Sequence, residues 1–127
     1  MVILITGKKD SGKTHYARLL KQELLAEDYQ VKWLDGDVFR KETGNKDYSE
    51  EGRKRNLTNA AMIAAEYEAK GYIVLVSLIA PYKKFRDKMR SYWEESRIVY
   101  IPGGTLWEGT RYEIPNNREM EVKHNFK

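Results

Sequence analysis

Residues 2–14 of this 127-residue chain read VILITGKKDSGKT, and this stretch decides the fold. Its first four residues are an apolar, mostly β-branched run, which is typical of a buried strand in a parallel sheet. From Gly7 to Thr14 the chain matches the pattern G-x-x-x-x-G-K-[ST]. Between a strand and a helix, this pattern indicates a loop whose backbone N–H groups surround a phosphate. The stretch therefore predicts a phosphate-binding loop (the P-loop) that opens an α/β fold.

The residue types of the P-loop fit its predicted chemistry. Glycines let the backbone N–H groups turn inward, Lys13 reaches the β- and γ-phosphates, and the Thr14 hydroxyl binds Mg²⁺. Asp10 is an anion in an anion-binding loop, and we expect it to point to solvent. His15 is interpreted as a residue of the first helical turn and not as a catalytic histidine. The predicted nucleotide-binding residues are Gly7, Asp10, Ser11, Gly12, Lys13, Thr14 and His15.

Downstream, apolar runs alternate with amphipathic stretches. Strands are predicted over residues 2–5, 31–34, 72–78 and 97–101, with a shorter fifth over 119–123. Helices are predicted over 13–28, over 49–70 with Ser49 as its cap, and over 82–95. The first helix has apolar residues at roughly helical spacing: Ala17, Leu19, Leu20, Leu24 and Leu25. Such alternation predicts an α/β, P-loop NTPase-type parallel sheet of four to five strands with helices on both faces. One domain over residues 1–127 is expected from the length.

The composition excludes several classes of site. The chain has no cysteine and two histidines, which excludes disulfides, thiolate metal sites, cysteine nucleophiles and a histidine-rich metal cluster. No apolar run approaches the ~18 residues of a membrane span, and the opening MVILIT is too short for a signal peptide. A cytoplasmic protein without a membrane partner is therefore expected. The net charge of +4 suits an anionic ligand but does not distinguish a nucleotide from a nucleic acid.

Four further segments follow the P-loop in a characteristic order. They are LDGDVFR at 34–40, YSEEGRKRNL at 48–57, SLIAPY at 77–82, with Arg86 and Arg90 beyond it, and YEIP at 112–115. In this order and spacing the chain resembles the adenylylsulfate kinase family, which phosphorylates the ribose 3′-hydroxyl of adenosine 5′-phosphosulfate with ATP. The resemblance implies a P-loop kinase that uses ATP and Mg²⁺, acts on a small nucleotide and serves sulfate assimilation.

The paired aspartates of the LDGD segment are the catalytic candidates, together with Lys13. They follow the carboxyl end of a strand, where α/β proteins place ligands. We expect Asp37 to accept a hydrogen bond from the acceptor hydroxyl and act as general base, and Asp35 to hold Mg²⁺ through water beside Thr14. Ser77 stands where a metal-orienting aspartate would otherwise end the third strand.

The resemblance also implies a set of substrate-binding residues. Arg40 and Arg53 would bind sulfate or phosphate oxygens. Tyr48 and Trp107 would stack on the two faces of the adenine. The set is Arg40, Tyr48, Arg53, Asn56, Ile79, Ala80, Pro81, Tyr82 and Trp107.

The chain departs from the family pattern at three places. Gly52 replaces an aspartate and Ala80 replaces a serine. The family's fourth strand leads into a basic helical lid, whereas here the ten residues PGGTLWEGTR connect Ile101 to Tyr112. The glycines of this loop predict flexibility, and we expect a loop too short to cover ATP. A weak affinity for ATP and an open acceptor side would follow.

Other functions stay open from the sequence. One is a kinase of another hydroxyl, on a nucleoside, a modified base or a nucleic-acid end, and another is a catalytically weak nucleotide-binding module. A basic run is interpreted either as a solvated helix face or as an anionic-substrate surface that could guide a nucleic-acid backbone. A homodimer, or a partner chain that supplies a lid, also stays open. The run is Lys83, Lys84, Arg86, Lys88 and Arg90.

Overall fold

The computed structural model describes residues 1–36, 50–106 and 110–125. In chain order its elements are β1 (Val2–Gly7), α1 (Lys13–Ala26), β2 (Val31–Asp35), α2 (Glu50–Ala69), β3 (Ile73–Leu78), α3 (Lys83–Arg90), β4 (Glu95–Ile101) and β5 (Lys123–His124). The strands form one sheet in the order β2-β3-β1-β4-β5. β1 to β4 are parallel, and β5 pairs antiparallel with the start of β4. The predicted α/β class with a P-loop NTPase-type sheet is confirmed.

The strand register brings the carboxyl ends of four strands to one edge of the sheet. Thr6 of β1 pairs with Leu78 of β3, and Gly7 pairs with Ile101 of β4. Asp35, the last residue of β2, pairs with Ser77. Because all four strands run in the same direction, the loops that follow them converge at this edge.

Helices cover both faces of the sheet. On one face α2 and α3 pack on a core that includes the buried Leu57 and the buried alanines at 60, 61 and 64. On the other face α1 contacts the sheet through Ala17, Leu20 and Leu24, spaced i, i+3 and i+7. The apolar residues Leu19 and Leu25 lie outside this stripe and are 47% and 48% exposed.

Two predicted elements differ from the structure by more than two residues at an end. α3 ends at Arg90 and not at residue 95, since the backbone N–H groups of Glu94 and Glu95 bond to the Glu68 carboxylate and start β4 there. The last strand is only Lys123–His124 and not 119–123. Glu119 lies outside it because its buried carboxylate pairs with Arg86 of α3, 2.7 Å away.

The basic run on α3 is not a continuous surface. Arg86 is 0% exposed and Arg90 is 4% exposed, whereas the lysines at 83, 84 and 88 are exposed. Arg90 donates hydrogen bonds to Ser96 and to the carbonyl oxygens of Glu119 and Glu121, and burial lowers its pKa. The two arginines therefore hold the C-terminal segment, and both surface interpretations of these residues are wrong.

Within the described residues, none of the helices has the length and apolar character needed to span a bilayer.

Candidate active site

The P-loop leaves β1 at Gly7 and enters α1 at Lys13. A Cβ on Gly7 would lie 2.5 Å from the Ile101 carbonyl oxygen, so only glycine allows the loop to pass the end of β4. Asp10 has a φ of 61° and is exposed to solvent, as expected. Gly12 caps α1 with a φ of 104°. The Lys13 ammonium donates to the Lys8 carbonyl oxygen at 2.6 Å, so its charge lies against the loop backbone.

A cavity of about 450 Å³ opens beside the P-loop. It brings together predicted residues from three segments: the loop, the end of β2 and the segment after β3. The sequence analysis missed Arg18, which stands one helical turn after Thr14 on the same face of α1, and this i, i+4 spacing was the available signal. The lining residues are Lys9, Asp10, Gly12, Lys13, Thr14, His15, Arg18, Asp35, Leu78 and Ile79.

The two predicted metal residues meet in this cavity. The Thr14 hydroxyl donates to the Asp35 carboxylate across 3.3 Å. Only glycine fits at position 36, directly after Asp35, since a Cβ there would lie 2.6 Å from the Leu78 Cβ and 3.0 Å from the Ser77 carbonyl oxygen. The Ser77 hydroxyl instead accepts the indole N–H of Trp33 at 2.9 Å. A hydroxyl and a carboxylate side by side are ligands that Mg²⁺ prefers.

The other ligands of a bound Mg²⁺ would be nucleotide phosphates and water molecules. Across the described part of the chain, no three His, Asp or Glu side chains are grouped so that they could hold a metal ion. This fits Mg²⁺, which usually keeps several waters and binds one or two protein groups plus substrate phosphates. The Ser11 hydroxyl is buried and has no hydrogen-bond partner among the residues described, which also fits a loop that takes an oxyanion.

The segment after β3 forms the other wall. Ala80 has a φ of 43° and is 1% exposed. The Arg86 guanidinium donates to the Ala80 carbonyl oxygen at 2.9 Å, and the Thr6 hydroxyl donates to the carbonyl oxygen of Ile79. These two bonds hold a backbone conformation that alanine adopts at a cost in energy. Pro81 is buried behind it, and the Tyr82 ring packs edge-on against Phe85.

Tyr112 links the C-terminal segment to the P-loop strand. Its hydroxyl lies 2.6 Å from that of Thr6, and because Thr6 donates to Ile79, Tyr112 is the donor. The ring stacks on Tyr100 and lies 5.7 Å from the Arg86 guanidinium. Burial raises the pKa of Tyr112 to about 12. Thr6 and Tyr112 thus connect β1, the segment after β3 and the C-terminal segment at the carboxyl edge of the sheet, a role that the sequence did not reveal.

The remaining predicted site residues are distributed as follows. Arg53 and Asn56 lie in the first half of α2, Asn56 being 5% exposed. The Asn56 side-chain oxygen is buried and accepts no hydrogen bond from any residue that the structure describes. Neither residue lines the P-loop cavity. The predicted residues Asp37, Arg40, Tyr48 and Trp107 lie outside the described residues.

Comparison with known proteins identifies relatives of this chain. The family profile described as "Adenylylsulphate kinase" matches residues 1–105. The adenylyl-sulfate kinase of Bacillus licheniformis is 38% identical over 104 residues, which are 79% of this chain and 52% of that protein. The chain thus spans about half the length of this curated relative.

Solved structures give the same relationship. The structure of a Cys556Ala mutant of the Mycobacterium tuberculosis APS kinase superposes with a TM-score of 0.77 at 26% identity, covering 91% of this chain and 80% of that one. The same kinase in complex with AMPPNP and APS gives a TM-score of 0.74 at 26% identity, covering 80% and 61%. The profile match and the identity to curated relatives together show that this chain belongs to the adenylylsulphate kinase family.

Proposed function

We propose that this chain is an ATP- and Mg²⁺-dependent phosphotransferase that moves the γ-phosphate of ATP to the ribose 3′-hydroxyl of adenosine 5′-phosphosulfate. One observation carries the proposal: the P-loop, Asp35 and Ile79 line a single cavity. Of the described acceptor-binding candidates, Ile79 lines the same cavity as the P-loop, which supports a donor and an acceptor bound side by side. Family membership and the relative's complex with AMPPNP and APS support this choice of donor and acceptor.

The residues present would perform the transfer mainly by positioning and by neutralising charge. Backbone N–H groups of the P-loop and the start of α1 bind the phosphates. Lys13 exchanges its bond to the Lys8 carbonyl for phosphate oxygens, which places a positive charge at the transferring group. Thr14 and Asp35 would hold Mg²⁺, which supplies further positive charge when bound.

The acceptor hydroxyl needs a base within hydrogen-bond reach. We assign this role to Asp37, which follows Asp35 by two residues in the sequence. Arg40, Arg53 and Asn56 would bind the acceptor, and Tyr48 and Trp107 would stack on its adenine.

A nucleic-acid acceptor loses its main support. That alternative relied on a basic face of α3, and Arg86 and Arg90 are buried in contacts within the chain. The lysines that stay exposed on α3 are typical of a solvated helix face, and one of them, Lys83, pairs with Asp87 at 2.7 Å.

Incubation of the chain with γ-labelled ATP, Mg²⁺ and separate acceptors tests the proposal. Label should appear on adenosine 5′-phosphosulfate and depend on Mg²⁺, and label should be absent from nucleosides and from oligonucleotides with free hydroxyls. Transfer to another acceptor alone would contradict the proposed substrate. ATP binding without transfer to any acceptor would favour a nucleotide-binding module.

A further inference from the structure

The loop that stands where the family has its lid is attached to the P-loop. We call residues 102–106 the strap. The Lys9 N–H donates to the Thr105 carbonyl oxygen at 3.0 Å, and the Thr105 N–H donates to the Lys9 carbonyl oxygen at 2.9 Å. This isolated antiparallel bridge engages both main-chain polar groups of Lys9. The loop that was predicted to be flexible is thus hydrogen-bonded to the P-loop at Thr105.

Gly104 packs directly against the P-loop. It has a φ of 77°, and a Cβ there would overlap the Lys9 carbonyl oxygen and lie 3.0 Å from the Ser11 nitrogen. Those contacts are with backbone atoms, which cannot move aside as a flexible side chain would. The neighbouring Gly103 has a φ of 91°, but a Cβ there would meet nothing within 4 Å. Two adjacent glycines thus share a left-handed backbone, and only one touches the P-loop.

The strap does not enter the space for the ligand. Among the described residues, the cavity is lined by Lys9 and Asp10 of the loop, while Gly104 and Thr105 are absent from its lining. The strap therefore contacts the P-loop elsewhere than at the surface that faces the cavity. The Lys9 N–H is bonded to the strap and is therefore not available to a phosphate.

We infer that Gly104 and Thr105 are positioning residues that hold the P-loop in its phosphate-binding curve before any nucleotide arrives. This inference rests on the proposed function. The bridge at Lys9 precedes Asp10, which has the unfavourable left-handed φ of 61° on which the turn of the loop depends. A loop fixed in advance loses less conformational entropy when it binds phosphate. In this chain the strap thus stands where the family sequence has its lid, and it stabilises the P-loop.

The matched pair Gly104→Ala and Gly103→Ala tests the inference. Both variants place alanine at a positive φ, so both should lose some stability, which thermal unfolding measures. Only Gly104→Ala should weaken binding of Mg²⁺-ADP and of inorganic tripolyphosphate, by ~10-fold or more against a change within ~2-fold for Gly103→Ala, because only it displaces the loop. Titration calorimetry on the folded variants gives both affinities.

A second pair keeps the test decisive if Gly104→Ala does not fold. Thr105→Pro removes the N–H that bonds to Lys9, whereas Thr105→Ala keeps both backbone bonds. The proline variant should lose phosphate affinity, and the alanine variant should match the wild type. Equal affinities within either pair would overturn the inference while leaving the proposed function intact. A wild-type chain that binds neither ligand would instead overturn the proposed function, and the inference with it.

Discussion

Replacing Glu119 by glutamine should lower the free energy of unfolding by about 3 kcal/mol, because the buried Arg86 guanidinium would lose its counter-charge. The two side chains are 5% and 0% exposed, and their closest nitrogen and oxygen lie 2.7 Å apart. Removing one partner of a buried ion pair typically costs ~3–5 kcal/mol. The lower end applies here, since Arg86 keeps its bonds to the carbonyl oxygens of Ala80 and Glu113 and glutamine can still accept one.

Urea denaturation followed by circular dichroism gives the unfolding free energy of the Glu119→Gln variant. A loss of this size also corresponds to a fall of ~12 °C in melting temperature, at ~4 °C per kcal/mol for a domain of this length. Glu121→Gln is the matched control: the same chemical change two residues away, on an exposed side chain, should stay within ~0.5 kcal/mol of wild type. If the two variants lost equal stability, the buried pair would not be holding the C-terminal segment.

Three further substitutions test the site. Asp35→Asn should remove most of the Mg²⁺ dependence of ATP binding and leave the weaker metal-free binding unchanged; an unchanged Mg²⁺ dependence in calorimetry would move the metal elsewhere. Asp37→Asn should lower turnover by ~10²-fold with little change in the affinity for ATP, as expected for loss of a general base, and equal losses in both would make it a metal residue. Burial raises the pKa of Tyr112 to about 12 from its ordinary value near 10, so the folded chain keeps a proton that the unfolded chain releases. That contribution to stability is complete below about pH 10 and is lost towards pH 12. Between these pH values, the unfolding free energy of Tyr112→Phe should therefore fall less than that of the wild type. Parallel falls in the two proteins would contradict the assignment.

The local parts of the site were predictable from the sequence. The P-loop and the LDGD segment are contiguous motifs whose residue types suit phosphate and metal chemistry, and the parallel sheet brings Thr14 to Asp35. The inward face of α2 was also predictable, because its alanines and Leu57 repeat with helical spacing. Only the parallel register was needed to bring these segments to one edge.

The non-local parts were not predictable. Arg86 reads as a surface cation in a charged run, and only its partner 33 residues away makes burial favourable. The bridge between Lys9 and Thr105 joins two loops whose sequences carry no pairing signal. Leu19 fits a helical apolar pattern, but the flat sheet beneath α1 contacts only one stripe. Each of these depends on which distant segments meet, which hydrophobic periodicity does not encode.

Titration of ATP into the chain with and without Mg²⁺, for wild type and for Lys13→Ala, tests the central claim most directly. That claim is that the loop from Gly7 to Thr14 binds the phosphates of a nucleotide. The wild type should bind one ATP per chain with an affinity that Mg²⁺ strengthens, and the folded Lys13→Ala variant should bind ~10-fold or more weakly, because it lacks a charged hydrogen-bond donor. Equal binding by the two proteins, or no saturable binding by the wild type, would contradict the account.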